Sequence, residues 1–400
     1  MTKAPAALPL SVLERLRADT PATGHRVHLD NAGASLMPAP VVDTIQRTVA
    51  LEAAVGGYVA HERMADQLER SYGALARLIG ANQSEIAFLQ SATEAWNRAF
   101  YSLPLQKGDR IITGFNEYCS NYVAMLDRAE KTGARIVVIG PDAQGNLDLA
   151  ALNDALDDRA KVIAISHVPS SSGQINPVKA VGEIARKHAV PFLLDACQSM
   201  GQLPVDVEDI GCHMLTGTAR KFLRGPRGVG FLYIRDSFQA QLRPVMLTNQ
   251  AATWTSATSY ELRGDAKVME AWERNLAAQL GFGAALDYLL SFDIDALFQR
   301  SNALAARLRT LLEQHPPIRI TDPGTRHSAI VTFRHATLSP ATIKAEMEKK
   351  GIAVQVASVV HTRLDLEARG IDSAVRVSPH YYNTEEELER FMHVLESLGS

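Results

Sequence analysis

The chain has 400 residues, 46% hydrophobic and 21% charged, with a formal net charge of −3. That mix is ordinary for a globular protein and excludes a disordered or fibrous chain; the balanced charge offers no global basic field for nucleic acid or anionic membranes. Its three cysteines, Cys119, Cys197 and Cys212, form no C-x-x-C pair and are odd in number, which fits a reducing cytoplasm better than a disulfide framework.

The opening stretch has charges in a helix-like pattern and no long apolar core, so it does not read as a signal peptide. No run approaches the ~18 apolar residues of a membrane span. The length implies a large domain with a smaller companion. In chain order, Arg110–Thr113 reads as a strand, followed by a helix through Ala124, Leu126 and Ala129. Arg135–Ile139 and Lys161–Ser166 read as further strands, and Ala180–His188 has helical spacing. Val190–Leu194 is a strand that stops at Asp195, and Gly228–Ile234 is another after a Gly/Pro-rich turn. Short apolar runs separated by helices predict a mainly parallel sheet buried on both faces, with ligands gathering beyond the carboxyl ends of its strands. Asp265–Leu290 carries one long helical pattern. Ile318–Ile320, Ala329–Phe333 and Ala353–Val356 then alternate with helices, which predicts a smaller α+β domain.

Three segments concentrate chemistry. Thr216–Ile234 (TGTARKFLRGPRGVGFLYI) places Arg220, Lys221, Arg224 and Arg227 in a turn bounded by Gly and Pro. Such a run is commonly a solvated basic loop; alternatively it is an anion site whose lysine, held against apolar surroundings, becomes nucleophilic. Asp195, in LLDACQSMGQ, ends an apolar strand where a carboxylate needs a cation or several donors. A structural ion pair would serve, and so would a protonated ring nitrogen, with Gln198 within reach of a neighbouring ring oxygen. Ser91, Ala92 and Thr93 precede a helical run, as a plain N-cap or as an anion cradle.

Together these segments resemble the class V aminotransferase family, the cysteine desulfurase-like branch of fold-type I pyridoxal-phosphate (PLP) enzymes, in collinear order over nearly the whole chain. HLDNAGAS (His28–Ser35) resembles the family's LDNAA opening, SATEA its phosphate-cradle turn, and NEYCSN (Asn116–Asn121) its E-H-x-x-N pattern. SHVPSSSGQINP (Ser166–Pro177), DACQ and TARKFLRGPRGVG follow in order, and RVSPHYYNTEEELERF (Arg376–Phe391) resembles the C-terminal R-x-S-x-x-x-Y-N-T element.

The resemblance implies an α/β fold of type I: a large domain with a mainly parallel seven-stranded sheet over 31–264, then a linker helix and small C-terminal α+β domain over 265–400. An N-terminal segment, 1–30, would pack with the small domain. It implies PLP as cofactor, Lys221 as the Schiff-base lysine, Asp195 on the pyridine nitrogen and Gln198 near the phenolic oxygen. Ala92, Thr93 and Thr218 would hold phosphate. Arg376 would clamp the substrate carboxylate, and Asn31 and Ala32 would line the pocket. A homodimer acting on an amino acid, with no nucleic-acid or membrane partner and no metal, is expected.

Departures bear on the reaction. Tyr118 stands at the ring-stacking position where desulfurases have His, Arg220 replaces the His before the lysine, and Ser170 replaces a common Asn. The segment Gly351–Gly370 has no cysteine where desulfurases carry their persulfide nucleophile. DAKVMEAWERN and ARKFLRGPRG resemble an isopenicillin-N-epimerase-like and carbon–sulfur lyase branch. The expected activity is β-elimination on a cysteine-type substrate, with epimerase, aminotransferase and catalytically silent binding protein as the alternatives. Tyr58, His61, His361, Arg363 and His380 are candidate pocket residues, each as readily an ordinary surface group.

Overall fold

A computed structural model describes residues 8–398. Its larger sheet has seven strands: β1 (Ile86–Leu89), β2 (Arg110–Gly114), β3 (Arg135–Ile139), β4 (Ala160–Ser166), β5 (Phe192–Asp195), β6 (Met214–Thr218) and β7 (Gly230–Ile234). Across the sheet they lie in the order β1-β7-β6-β5-β4-β2-β3. Within this sheet β7 alone runs against its neighbours, and the pairings from β6 to β3 are parallel.

Both faces are covered, and the period-2 alternation of the strands shows how. Ile163, Ile165, Phe192 and Leu194 join one core with Val181 and Ala185 of the helix Val178–Lys187. Their alternates Val162, Ala164 and Leu193 join another, with Trp96 and Phe100 of the helix Ala92–Tyr101 and Met125 of Cys119–Thr132. Each such large side chain, fully buried, contributes about 1.5–3 kcal/mol. Continuous apolar runs such as VIAI and FLL are thus strands with two interiors.

The stretch Asp265–Leu290 is not one helix. A 3₁₀ turn covers Ala266–Met269, and the α-helix is Leu276–Leu290, capped by Asn275 accepting the Ala278 N–H. Between them Glu270 is extended and turned inward, where it accepts the Tyr72 hydroxyl (2.7 Å) and the Phe88 N–H (2.8 Å) and pairs with Arg274. A fully buried carboxylate requires those partners, and meeting them overrides the local helical spacing. The helix Leu276–Leu290 is apolar around most of its girth, with Asp287 left exposed, and lies against Ala39–Val55 and Ala65–Ile79. Gly283 permits that approach: a Cβ there would sit 2.1 Å from Ser71 Oγ.

The smaller sheet is antiparallel, in the order Ile318–Ile320, Val331–His335, Ser373–Val377, Gln355–Ser358. The expected strand Ala353–Val356 divides at Val354. Ile352–Ala353 pairs in parallel with Val27–His28, while Gln355–Ser358 joins the small sheet, so Val27–His28 is tied to the segment that leads into that sheet's edge strand. Ser373–Val377 carries Arg376. Among the described residues no helix is long and apolar enough to cross a membrane.

Candidate active site

Because β1, β2, β4, β5 and β6 run the same way, their carboxyl ends share one edge, and a cleft opens there. Ala92, Thr93, Tyr118, Ser170, Asp195, Gln198, Thr218, Arg220 and Lys221, all named from the sequence, line it. So do Ser91, Asn121, Ser166, Val168 and Cys197.

The turn after β1 enters the helix Ala92–Tyr101, and Ser91 is its N-cap, accepting the Glu94 N–H. The cap and the cradle are therefore one structure, which leaves the N-terminal N–H groups and the Thr93 hydroxyl toward the cleft as an anion site. Behind it β7 begins at Gly230, where a Cβ would lie 2.2 Å from the Ser91 carbonyl carbon. Only glycine allows the strand to pass that close.

The basic turn after β6 divides by burial. Arg227 is exposed, Arg220 is half-buried, and Lys221 and Arg224 are buried. Arg224 adopts φ +58°, a conformation that costs a non-glycine residue about 1–3 kcal/mol. It is held there by bonds to Leu36 O (2.9 Å), the Thr20 hydroxyl and Tyr381 OH, with its guanidinium 4.6 Å from the Tyr382 ring centre. Its N–H reaches back to Lys221 O (2.9 Å), and Gly225 N–H to Ala219 O (2.8 Å), fixing the turn that presents Lys221. Burial, with Arg220 and Arg376 nearby, lowers the Lys221 ammonium to about 8, so a substantial fraction is neutral amine near pH 8.

Asp195, at the end of β5, accepts the Cys197 N–H on Oδ1 (2.9 Å) and Asn121 Nδ2 on Oδ2 (2.8 Å). Glu117 stands behind Asn121, buried and bonded to the same amide at 2.9 Å. Gln198 Nε2 is taken by Ala32 O (3.1 Å), whereas its Oε1 and the Ser170 hydroxyl are buried atoms with no partner among the described residues. Tyr118 is the N-cap residue of Cys119–Thr132 and stands on the cleft wall.

Arg376, Asn31 and Ala32 lie one layer outside. Arg376 donates to Ser170 O (2.9 Å) and pairs with Asp30 (3.1 Å), and its buried Nε has no partner among the described residues. Asn31 is engaged with Ser378 O (2.7 Å) and the Tyr382 hydroxyl. His380 is buried on Phe222 O (2.9 Å), and Tyr58 and His61 line a separate surface hollow with Trp272. Asp30, Asn121 and Glu117 are members of the cluster to which sequence reading gave no role, although all three lie inside the quoted HLDNAGAS and NEYCSN segments.

The donor set suits PLP. A helix N-terminus and hydroxyls face one end of the cleft, a carboxylate with both oxygens oriented faces another, a low-pKa lysine lies between them, and Gln198 Oε1 and Ser170 Oγ are left to be satisfied. The class-V aminotransferase family profile matches residues 27–391. A probable cysteine desulfurase of Pyrococcus abyssi is 30% identical, over 97% of this chain and 98% of its own. One from Methanothermobacter thermautotrophicus is 28% identical, over 96% and 98%. The apo structure of a cysteine desulfurase from Thermococcus onnurineus NA1 superposes with a TM-score of 0.90 at 28% identity, covering 99% of both chains. The chain belongs to the class V aminotransferase family. It is an enzyme, and its cofactor is pyridoxal 5′-phosphate.

Proposed function

We propose that the protein is a carbon–sulfur lyase that eliminates the β-substituent of a small cysteine-type amino acid. The observation that carries this reading is the lysine–carboxylate–cradle cleft joined to a segment, Gly351–Gly370, that contains no cysteine. A desulfurase needs an accessible thiolate to accept sulfur. Here Cys197 on the cleft wall is held well up as the neutral thiol, by burial first and Asp195 next, and burial pushes Cys212 up to about 12.

Each group then has a task. The Ser91–Thr93 turn and Thr218 hold phosphate, with Arg220 adding charge. Asp195 would keep the pyridine nitrogen protonated, Tyr118 would stack on the ring, and Gln198 and Ser170 would face its polar edge. When bound, the cofactor supplies the electron sink for charge developing at the substrate Cα. Arg376 receives the substrate carboxylate; its bonds to Ser170 O and Asp30 hold the guanidinium in place and leave Nε to donate. Asn31 and Ala32 back that side. The neutral Lys221 amine takes the Cα proton at Nζ. The Cβ–S bond breaks with its electron pair on sulfur, which leaves as hydrosulfide from cysteine or as a persulfide from cystine, and the remaining three-carbon fragment leaves as pyruvate and ammonia after hydrolysis.

A cytoplasmic homodimer is the expected form. Supplying cysteine and cystine to the holoenzyme and measuring pyruvate, ammonia and the sulfur product tests the reading. Stoichiometric pyruvate and ammonia are expected. Racemised substrate without them, or amino-group transfer to a keto acid, overturns it.

A further inference from the structure

Glu117 follows β2 and is 4% exposed, yet no cation pairs with it among the described residues. Its Oε1 accepts the Tyr118 N–H (2.8 Å), Asn121 Nδ2 (2.9 Å) and the Ser166 hydroxyl (2.6 Å). Its Oε2 accepts the Ser166 N–H (3.0 Å) and lies 3.5 Å from the Thr113 hydroxyl. The Asn121 amide also donates to Asp195 Oδ2, so its two hydrogens serve two different carboxyl groups. Thr113 is on β2, Ser166 ends β4 and Asp195 ends β5, three adjacent strands. The cluster therefore joins their carboxyl ends directly behind the group that faces the cleft.

We propose that Glu117 is a positioning residue for cofactor binding: through Asn121 it fixes the Asp195 carboxylate, and its own removable proton sets the negative charge behind that carboxylate. The proposal rests on Asp195 being the partner of the pyridine nitrogen.

Five donor contacts are more than a neutral carboxyl group uses and favour the ionised form, while burial and the Asp195 charge oppose it. The balance places Glu117 at about 7, with burial the largest cause and Asp195 next. The titratable groups facing the cluster are Asp195, Tyr118 and Cys119, with Cys197 and Lys221 across the cleft. When Glu117 is protonated, the Thr113 hydroxyl, 3.5 Å from Oε2, can turn to accept its proton. A protonated pyridine ring arriving at Asp195 stabilises the Glu117 carboxylate, and the proton leaves to solvent. Cofactor binding is thereby linked to release of one proton below about pH 7.

The test is PLP affinity, measured by absorbance titration of apoprotein at pH 6 and pH 8 for the wild type and Glu117→Gln. One linked proton with a pKa near 7 makes the ratio of wild-type to variant affinity about tenfold larger at pH 8 than at pH 6. Comparing the two proteins cancels the cofactor's own titration. A folded Glu117→Gln apoprotein whose affinity ratio is flat across that range overturns the proposal. A measurement on the wild type alone stands beside it. The infrared carbonyl band of a protonated carboxyl should be present in apoprotein at pH 6 and disappear when PLP is added; its absence from the apoprotein, or its persistence in the holoprotein, also overturns the proposal. Failure of the protein to bind PLP at all would instead strike the functional reading.

Discussion

Replacing Gly230 with alanine perturbs the phosphate cradle from behind without changing any side chain that lines the cleft. The added Cβ would lie 2.2 Å from the Ser91 carbonyl carbon and 2.4 Å from the Ala92 nitrogen, where ordinary van der Waals contact begins at 3.4 Å. Both are backbone atoms, so no side chain can swing aside, and strand and turn must part by about 1 Å. Overpacking of this kind costs about 1–3 kcal/mol. The Ser91–Thr93 turn moves with it, and a charge-assisted hydrogen bond weakened there removes about 1.5–3 kcal/mol. At 1.4 kcal/mol per decade, PLP affinity falls about 10- to 100-fold. Absorbance titration of Gly230→Ala apoprotein measures this, with circular dichroism confirming the fold. A folded variant that binds PLP within about threefold of the wild type would refute the assignment of this turn to phosphate.

Arg376→Lys keeps the charge but cannot span Ser170 O, Asp30 and a carboxylate together. It should lower kcat/KM on the order of 100-fold, chiefly through KM, with PLP affinity nearly unchanged; an unchanged KM would remove Arg376 from substrate binding. His167 is buried and drawn down to about 4 from 6.5, chiefly by desolvation and secondarily by Arg326. The unfolded chain then binds more protons between those values, so the stability His167 contributes is complete above pH 6.5 and is lost as pH falls toward 4, on the order of 3 kcal/mol. Glu117, raised from 4.5 to about 7, has the opposite sign: it favours the fold below about 4.5 and loses that contribution as pH rises through 7. Urea melts of apoprotein should therefore show the gap between wild type and His167→Gln narrowing from pH 7.5 to pH 5, and a constant gap would contradict the assignment.

The parallel sheet was legible because its strands are written as apolar runs with two buried faces, and Asp195 and Lys221 stood out as charged groups at the ends of such runs. What escaped sequence reading was set by contacts distant along the chain. Ile86–Leu89 is four residues with no alternation, and it is a strand because β7 pairs with it. Glu270 breaks a helical pattern because Tyr72, Phe88 and Arg274 meet its carboxylate in the core. Arg224 looked like one more solvated cation, yet it is buried among tyrosines from the far end of the chain. Glu117 and Asn121 were inside a recognised motif, but their partnership with Asp195 depends on β2, β4 and β5 lying side by side. The same packing put Arg376 beside Asp30 and Ser170, which no local spacing specifies.

The most direct test concerns Lys221. Protein purified with PLP and reduced with borohydride should lose its visible absorption band and yield, on proteolysis and mass analysis, one pyridoxyl-modified peptide labelled at Lys221. Lys221→Ala should keep the fold, accept no label and lose turnover. A label on another lysine, or a colourless protein that does not respond to added PLP, would contradict the central claim.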